Sequence, residues 1–216
     1  MIEAVLFDND GVLVDTERLY FEAGRVTLAE IGIQLTLEIY QEISLRHGRS
    51  VMDLGAERGL DAAEREMLRK RCDERYAESL ERGVPVIPGA RDAITRLRQD
   101  GKRLAIVTTC PARHFAIQHR NTGLPGEFEF VLTREDYARS KPFADPYATA
   151  VQRLGLHASS CVAIEDTQRG IDAATGAGVR CFACTSPMTQ GTTFEGAADI
   201  LDSVGELPAA VRRLDG

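Results

Sequence analysis

Apolar positions along this chain follow two patterns, and the two occupy different regions. Short, mostly unbroken runs mark the first: Ala4-Val5-Leu6-Phe7, Leu104-Ala105-Ile106-Val107, Phe128 to Leu132, Cys161-Val162-Ala163-Ile164 and Cys181 to Cys184. Their length and their Gly, Pro and acidic boundaries predict strands buried on both faces. Between them apolar residues recur every three or four positions, as in Ala90, Ile94 and Leu97 ahead of Gly101. Similar stretches open at Pro111 and stop near Gly123, open at Pro146 and stop near Gly155, and close in Thr175-Gly176-Ala177-Gly178. Proline in a first turn and glycine past a last one mark helices. Five strands alternating with helices predict an α/β fold with a parallel sheet covered by helices on both faces. The last ten residues are expected to form a short surface helix that frays.

From Glu17 to about Gly83 no strand-like run occurs. Leu19, Ala23, Val26 and Ile31 stand at helical spacing. A second, long helix is predicted from Asp61, which suits its start, to Arg82, with Met67, Leu68, Cys72, Tyr76 and Leu80 near one face and Gly83 as the stop. Pro85 and Pro88 bracket the return to the alternating pattern. The chain therefore divides into a core of residues 1–15 and 85–216 and an all-helical insert of residues 16–84, a plausible size for a small domain.

Composition mainly excludes. With 33 acidic against 26 basic residues the net charge is −7, and no basic stripe occurs, so nucleic acid is not expected as a partner. No window offers the run of uncharged apolar residues that a membrane span needs. The opening residues enter a strand with neither a basic segment nor an apolar leader, and the cysteines number five, an odd count. Free thiols in a cytoplasmic protein are expected from these two features. Cys181 and Cys184 form a C-x-x-C inside a strand, where buried thiols behave as small hydrophobes. Oligomeric state is not legible, with a monomer favoured.

The candidate chemistry gathers at strand ends. Asp8 and Asp10, two apart, should point the same way off the carboxyl end of the first strand, the edge where open α/β sheets bind ligands. Two carboxylates held together invite a hard cation, and Mg²⁺ fits best; a solvated Asp-rich turn around Gly11 is the plainer alternative. Thr108 ends the second strand, Lys141-Pro142 follows the third and Glu165-Asp166 ends the fourth. Taken singly, Lys141 reads as an exposed lysine, Thr108 as a helix cap, and Glu165 and Asp166 as acids complementing a helix dipole. Taken together, two acids, a hydroxyl, a lysine and a further acid pair suit phosphate: a metal and a lysine cancel charge, the hydroxyl donates and a carboxylate attacks.

Asp8-Asn9-Asp10-Gly11-Val12, Thr108, Lys141-Pro142 and Ile164-Glu165-Asp166-Thr167, in that order, resemble the four motifs of the haloacid dehalogenase-like hydrolase superfamily, in its phosphatase and phosphomutase branch. The resemblance covers nearly the whole chain and implies a Rossmann-like core with the helical stretch as an inserted cap domain. It implies that Asp8 is the nucleophile that forms an aspartyl-phosphate. Asp10 would protonate the leaving oxygen and then activate water, its backbone carbonyl resting on Mg²⁺. Thr108, with Thr109 beside it, would hold the phosphate, and Lys141 would neutralise Asp8 and the phosphoryl group. Asp166 would ligate Mg²⁺, and Glu165 would do so directly or through water.

The activity implied is a Mg²⁺-dependent phosphatase acting on a small phosphorylated metabolite, with a sugar phosphomutase as the alternative. A dehalogenase is disfavoured by Asp10, and a non-catalytic binding protein by the completeness of the set. Tyr20 stands where phosphomutase relatives often carry a histidine. Within Leu45-Arg46-His47-Gly48-Arg49-Ser50, which resembles a cap loop that dips into the site, His47 and Arg49 are the expected contacts to the leaving group, together with Tyr20. Two positions depart from the family pattern. Asn9 is an unusual filler, expected to point away from both acids, and Ala144 replaces a common proline.

Overall fold

The computed structural model describes residues 1–215. Six strands form one sheet: β1 (Ala4–Phe7), β2 (Arg103–Val107), β3 (Phe130–Leu132), β4 (Cys161–Glu165), β5 (Arg180–Cys184) and β6 (Ile200–Leu201). The helices are α1 (Glu17–Ala29), α2 (Leu37–Tyr40), α3 (Ala62–Glu81), α4 (Ala90–Gln99), α5 (Ala112–Gln118), α6 (Asp145–Leu154), α7 (Gln168–Gly176) and α8 (Leu207–Asp215). The strand order is β3-β2-β1-β4-β5-β6, and every pairing is parallel. This is a Rossmann-like α/β fold.

Alternation along the strands sorts the core into two layers. Val5 and Phe7 of β1 face one cluster with Leu104, Ile106, Val162 and Ile164, covered by α4, α5 and α8. Ala4 and Leu6 face the other with Ala105, Val107 and Ala163, covered by α6 and α7. β1 is wholly buried because both its faces and both its edges are occupied.

The expected helical stretch is present and has its own apolar cluster, which includes Leu28, Tyr40, Met52, Leu68 and Cys72. α3 opens with a reciprocal cap between Asp61 and Glu64, the arrangement that satisfies two orphan amides at once. Two expected core positions lie outside: Val26 is 39% and Met67 58% exposed. The buried line on α3 is Leu68, Cys72, Tyr76 and Leu80 at strict four-residue spacing, and Met67 stands about 100° away from it. α2 continues into a π-helical turn, Gln41–Arg46, and a 3-10 stretch, Val51–Arg58, follows; the sequence pattern distinguished neither. The chain leaves and re-enters the core side by side. Val14 pairs antiparallel with Val86, the Asp15 amide donates to the Pro85 carbonyl at 2.9 Å, and the Ile87 amide donates to the Leu13 carbonyl at 2.9 Å.

Several boundaries differ from expectation. β3 begins at Phe130, leaving Phe128 to pack edge-on against Phe7 at 5.5 Å between ring centres. Pro111 is the extended N-cap of α5, not its first turn, and α5 stops at Gln118 while Gly123 opens a separate 3-10 turn. β6, two residues long, was too short to register as an apolar run. The C-terminal helix is not a frayed surface element. Leu207, Ala210 and Val211 are buried, and the Asp215 carboxylate accepts from Lys102 Nζ at 2.6 Å and from the Ile2 amide at 2.5 Å. Replacing Asp215 by alanine should therefore lower the unfolding free energy in urea by about 1–2 kcal/mol; unchanged stability would restore the fraying end.

Candidate active site

The sheet order decides where the chemistry meets. β1 lies between β2 and β4, so the chain turns one way after β1 and the other way to reach β4. That reversal opens a crevice at the carboxyl ends of the strands. Asp8 follows β1, Thr108 and Thr109 follow β2, Glu165 is the last residue of β4 and Asp166 the next. Lys141 arrives from the loop after β3.

Lys141 is buried and uses all three ammonium protons. Nζ donates to Asp8 Oδ1 at 2.7 Å, to Glu165 Oε1 at 2.6 Å and to the Val107 carbonyl at 2.9 Å. The Tyr147 hydroxyl, on α6, donates to the same Glu165 oxygen at 2.5 Å, and its ring centre lies 5.3 Å from the ammonium. Burial alone would pull the lysine's pKa down, but Asp8 and Glu165 outweigh it, so the group holds its proton more tightly than a free lysine. Asp8 is pushed up to about 7, by burial first and by Glu165 next, with Lys141 opposing. Asp166 is raised for the same reasons, burial and then Asp8.

These acids are arranged for a cation. Asp8, Glu165 and Asp166 each present a carboxylate oxygen, and the three oxygens lie within 4.8 Å of one another. Both Asp166 oxygens and Glu165 Oε2 are buried without a hydrogen-bond partner among the described residues. Three orphaned oxygens of this kind are a costly arrangement unless a positive ion fills it, and an all-oxygen donor set suits a hard divalent metal. Two glycines make room: a side-chain carbon at Gly11, whose φ is +80°, would overlap an Asp166 oxygen, and one at Gly170 would overlap the Glu165 carboxylate.

The Asp10 carboxylate stands outside this cluster. Oδ1 accepts from the Thr16 hydroxyl at 2.5 Å and from Gln118 Nε2 at 2.9 Å; Oδ2 accepts from the Thr108 hydroxyl at 3.1 Å and from Asn9 Nδ2 at 3.2 Å. Asn9 therefore does not turn away from both acids as strand alternation predicts, because the chain has already left β1 and bends back here. Thr108 is fully buried; its hydroxyl also accepts from the Cys110 amide at 3.0 Å, which tightens the turn and leaves Pro111 to cap α5.

Above the acids lies a cleft of about 320 Å³ between the sheet edge and the helical stretch. Asp8, Asp10, Thr109, Lys141 and Asp166 form its floor, and Tyr20, Arg49 and Arg169 belong to its wall. Tyr20 packs edge-on against Tyr76 at 5.2 Å between ring centres, and burial keeps its hydroxyl neutral. Arg49 is brought to the site as expected, but His47 is not: it is exposed, bonds Glu42 at 2.9 Å and borders a separate groove. Two positions apart on a turn, with Gly48 between them, the two side chains diverge. Thr16, Gln118, Tyr147 and Arg169 escaped the sequence reading. Tyr147 and Arg169 lie one or two turns beyond a motif residue and could have been found by helical spacing, whereas nothing local marks Gln118.

A comparison with known families matches residues 5–184 to a model described as haloacid dehalogenase-like hydrolase. The chain belongs to this family. Protein CbbY of Cereibacter sphaeroides is 33% identical over 220 residues, spanning 96% of this chain and 94% of that protein. A phosphorylated carbohydrates phosphatase of Thermotoga maritima is 29% identical over 178 residues, 82% of each chain. Among solved structures, a mutant of CbbY from Rhodobacter sphaeroides in complex with xylulose-(1,5)bisphosphate superposes with a TM-score of 0.78 at 30% identity, covering 96% of both chains. No helix of this hydrolase, among the described residues, is long and apolar enough to cross a membrane, and all five cysteines are free and buried.

The raised acids set a direction for stability. Asp8 binds its proton up to about 7 when folded but only to 3.8 in its ordinary state. In that window Asp8 keeps its proton in the folded chain and loses it in the unfolded one, so its contribution to stability falls as pH rises, while His119, lowered by burial to about 4, contributes with the opposite sign. A saturating divalent cation bonds the ionised acids and removes the Asp8 contribution alone, so between pH 3.8 and about 7 stability should fall more steeply, or rise less, with pH in metal-free protein than in metal-loaded protein. Denaturation curves with EDTA and with metal at several pH values measure this, and identical slopes would disprove the cation site.

Proposed function

We propose that this hydrolase is a Mg²⁺-dependent phosphatase that releases phosphate from a small phosphorylated sugar through an aspartyl-phosphate on Asp8. The carrying observation is the asymmetry of Asp8. Oδ1 is fixed by Lys141 at 2.7 Å, while Oδ2 has no hydrogen-bond partner among the described residues and the side chain borders the cleft. Asp8 attacks phosphorus as the bond from phosphorus to the leaving oxygen breaks, and Asp10 gives that oxygen a proton. Asp10 then takes a proton from a water, which attacks phosphorus and frees Asp8 with inorganic phosphate. Lys141 stays charged throughout and faces the negative charge spread over the phosphoryl oxygens. Thr109, which follows β2 and borders the cleft, is assigned to those oxygens; Thr108, expected there as well, is fully buried with its one hydroxyl proton on Asp10, and reaches phosphate only by turning that proton away. Asp8, Glu165 and Asp166, with the Asp10 carbonyl, would hold Mg²⁺, which when bound would supply further positive charge to the same oxygens.

Leaving-group recognition is assigned to the wall. Neither Arg49 nor Arg169 has a carboxylate partner among the described residues, so two guanidiniums are free for an anionic handle, which they can grip bidentately. A second phosphate on a sugar is the handle best supported, in keeping with the carbohydrate phosphatase and the bisphosphate-bound relative. Tyr20 supplies an uncharged hydroxyl where a mutase-like site would want a proton carrier, which favours water as the acceptor. Residues 16–84 are assigned to a cap domain on a core of 1–15 and 85–216, hinged near Thr16 and Val84 to Val86, where the two crossings run side by side. Closure over the floor would exclude bulk water. The catalytic set is complete within one chain, which suits a monomer.

Phosphate release from a panel of phosphorylated sugars, with Mg²⁺ and no bisphosphate primer, tests the activity. Asp8→Asn, verified as folded by circular dichroism, should reduce turnover to background, and EDTA should do the same reversibly; turnover in folded Asp8→Asn protein would remove the covalent route. Arg49→Ala should cost about 2–5 kcal/mol in kcat/KM for a sugar bisphosphate and leave p-nitrophenyl phosphate unaffected, as should His47→Ala on both. Equal losses on both substrates for Arg49→Ala would give the arginine a role in closure or folding instead.

A further inference from the structure

A line of buried polar side chains runs beneath Asp10, with hydrogen bonds that run in one consistent direction. Gln118 presents Nε2 to Asp10 Oδ1, at 2.9 Å. The second proton of that nitrogen meets the Tyr76 hydroxyl of α3, 3.0 Å away. Gln118 Oε1 is left as an acceptor and takes Asn9 Nδ2 at 2.7 Å. Asn9 Oδ1 then takes His119 Nε2 at 2.7 Å, and His119 Nδ1 takes the Thr122 hydroxyl at 2.8 Å. Turning over either amide alone would set donor against donor or acceptor against acceptor between Gln118 and Asn9. Gln118, His119 and Thr122 are all buried, so none can be rescued by bulk water.

We propose that Gln118 is a positioning residue for the acid–base carboxylate of Asp10, oriented by Asn9, His119 and Thr122 behind it and by the cap-side Tyr76 beside it. The proposal rests on Asp10 being the general acid and base. Gln118 stands at the last position of α5, behind Asp10, and has no side-chain partner on its own helix. Both carboxylate oxygens of Asp10 are engaged, and two of its four donors, Gln118 and Asn9, fix each other's orientation, with Tyr76 beside Gln118 and His119 behind Asn9. The carboxylate is thereby held against rotation about its last bond, which sets which oxygen faces the leaving group. Through Tyr76 the same amide touches the helical stretch, so a shift of α3 over the core bears directly on the acid. A general acid matters most when the leaving oxygen is a poor one, since a good leaving group departs with little help.

The test compares phenyl phosphate, with the poorer leaving group, and p-nitrophenyl phosphate, with the better one, in the Mg²⁺-loaded enzyme. Gln118→Leu and the near-isosteric Gln118→Met should each lower kcat on phenyl phosphate by about 10- to 100-fold, with KM within about threefold and a loss at least about fivefold smaller on p-nitrophenyl phosphate. Gln118→Met keeps the length of the side chain and removes the donor without adding a second acid, so it carries the test if Gln118→Leu fails to fold. Equal losses on the two esters, or parental kcat on phenyl phosphate in Gln118→Met, would overturn the positioning role. Asp10→Asn is the control for the underlying reading. It must show the same bias between the esters, and if it does not, the assignment of Asp10 fails independently of Gln118.

Discussion

Everything at the carboxyl edge of the sheet depends on one buried contact, the Lys141 ammonium shared between Asp8 and Glu165. Three carboxylates removed from water would repel one another and pay heavily in lost hydration. A single ammonium whose three protons all find oxygen answers part of that, and the unpartnered oxygens of Asp166 and Glu165 show what it leaves unanswered. The surroundings follow from this demand. Tyr147 shares the load on Glu165, Gly11 and Gly170 leave room for the acids, and the fully buried β1 leads directly into Asp8.

The two aspartates of one short motif are handled in opposite ways. Asp8 faces a formal positive charge and neighbouring carboxylates. Asp10 faces two threonine hydroxyls and two amides, all neutral. In the roles proposed above, a nucleophile at Asp8 would benefit from a counter-charge that remains while charge moves onto phosphate. A group at Asp10 that must both give and take a proton would be better held by neutral donors that orient it without locking it into one ionic state. Two residues of sequence separate these environments because the chain bends sharply after β1, bringing Asn9 and Asp10 over α5.

Much of this was legible in the sequence, and the reason is physical. Asp8, Thr108, Lys141 and Asp166 stand at strand ends or just beyond them, and buried parallel strands declare themselves as apolar runs, so the shared edge could be assembled before any coordinates. The stripe of α3 and its Asp61 start were readable for the same reason, while Met67 was misplaced because adjacent apolar residues differ by a large angle on a helix. Loop and packing features escaped. β6 is too short to leave a pattern, α5 ends where tertiary contacts stop it and not at the next glycine, and the divergence of His47 from Arg49 is set by a tight turn whose sequence alone does not orient side chains. Gln118 was invisible because its importance lies in residues 108 positions away.

The pairing of Val14 with Val86 reaches beyond the mechanics of the site. Where a chain departs and comes back through neighbouring positions, the intervening residues amount to a long excursion whose ends are already held together by the scaffold. The entropy of closing such an excursion grows only slowly with its length. The catalytic edge therefore places almost no restriction on how large the excursion is or what it contains, provided its ends meet. On the roles proposed above, one phosphate-handling chassis could thus carry interchangeable upper halves. Substrate range would then be written mostly in residues 16–84, with Arg169 contributing from the core side, and phosphoryl chemistry almost entirely outside them.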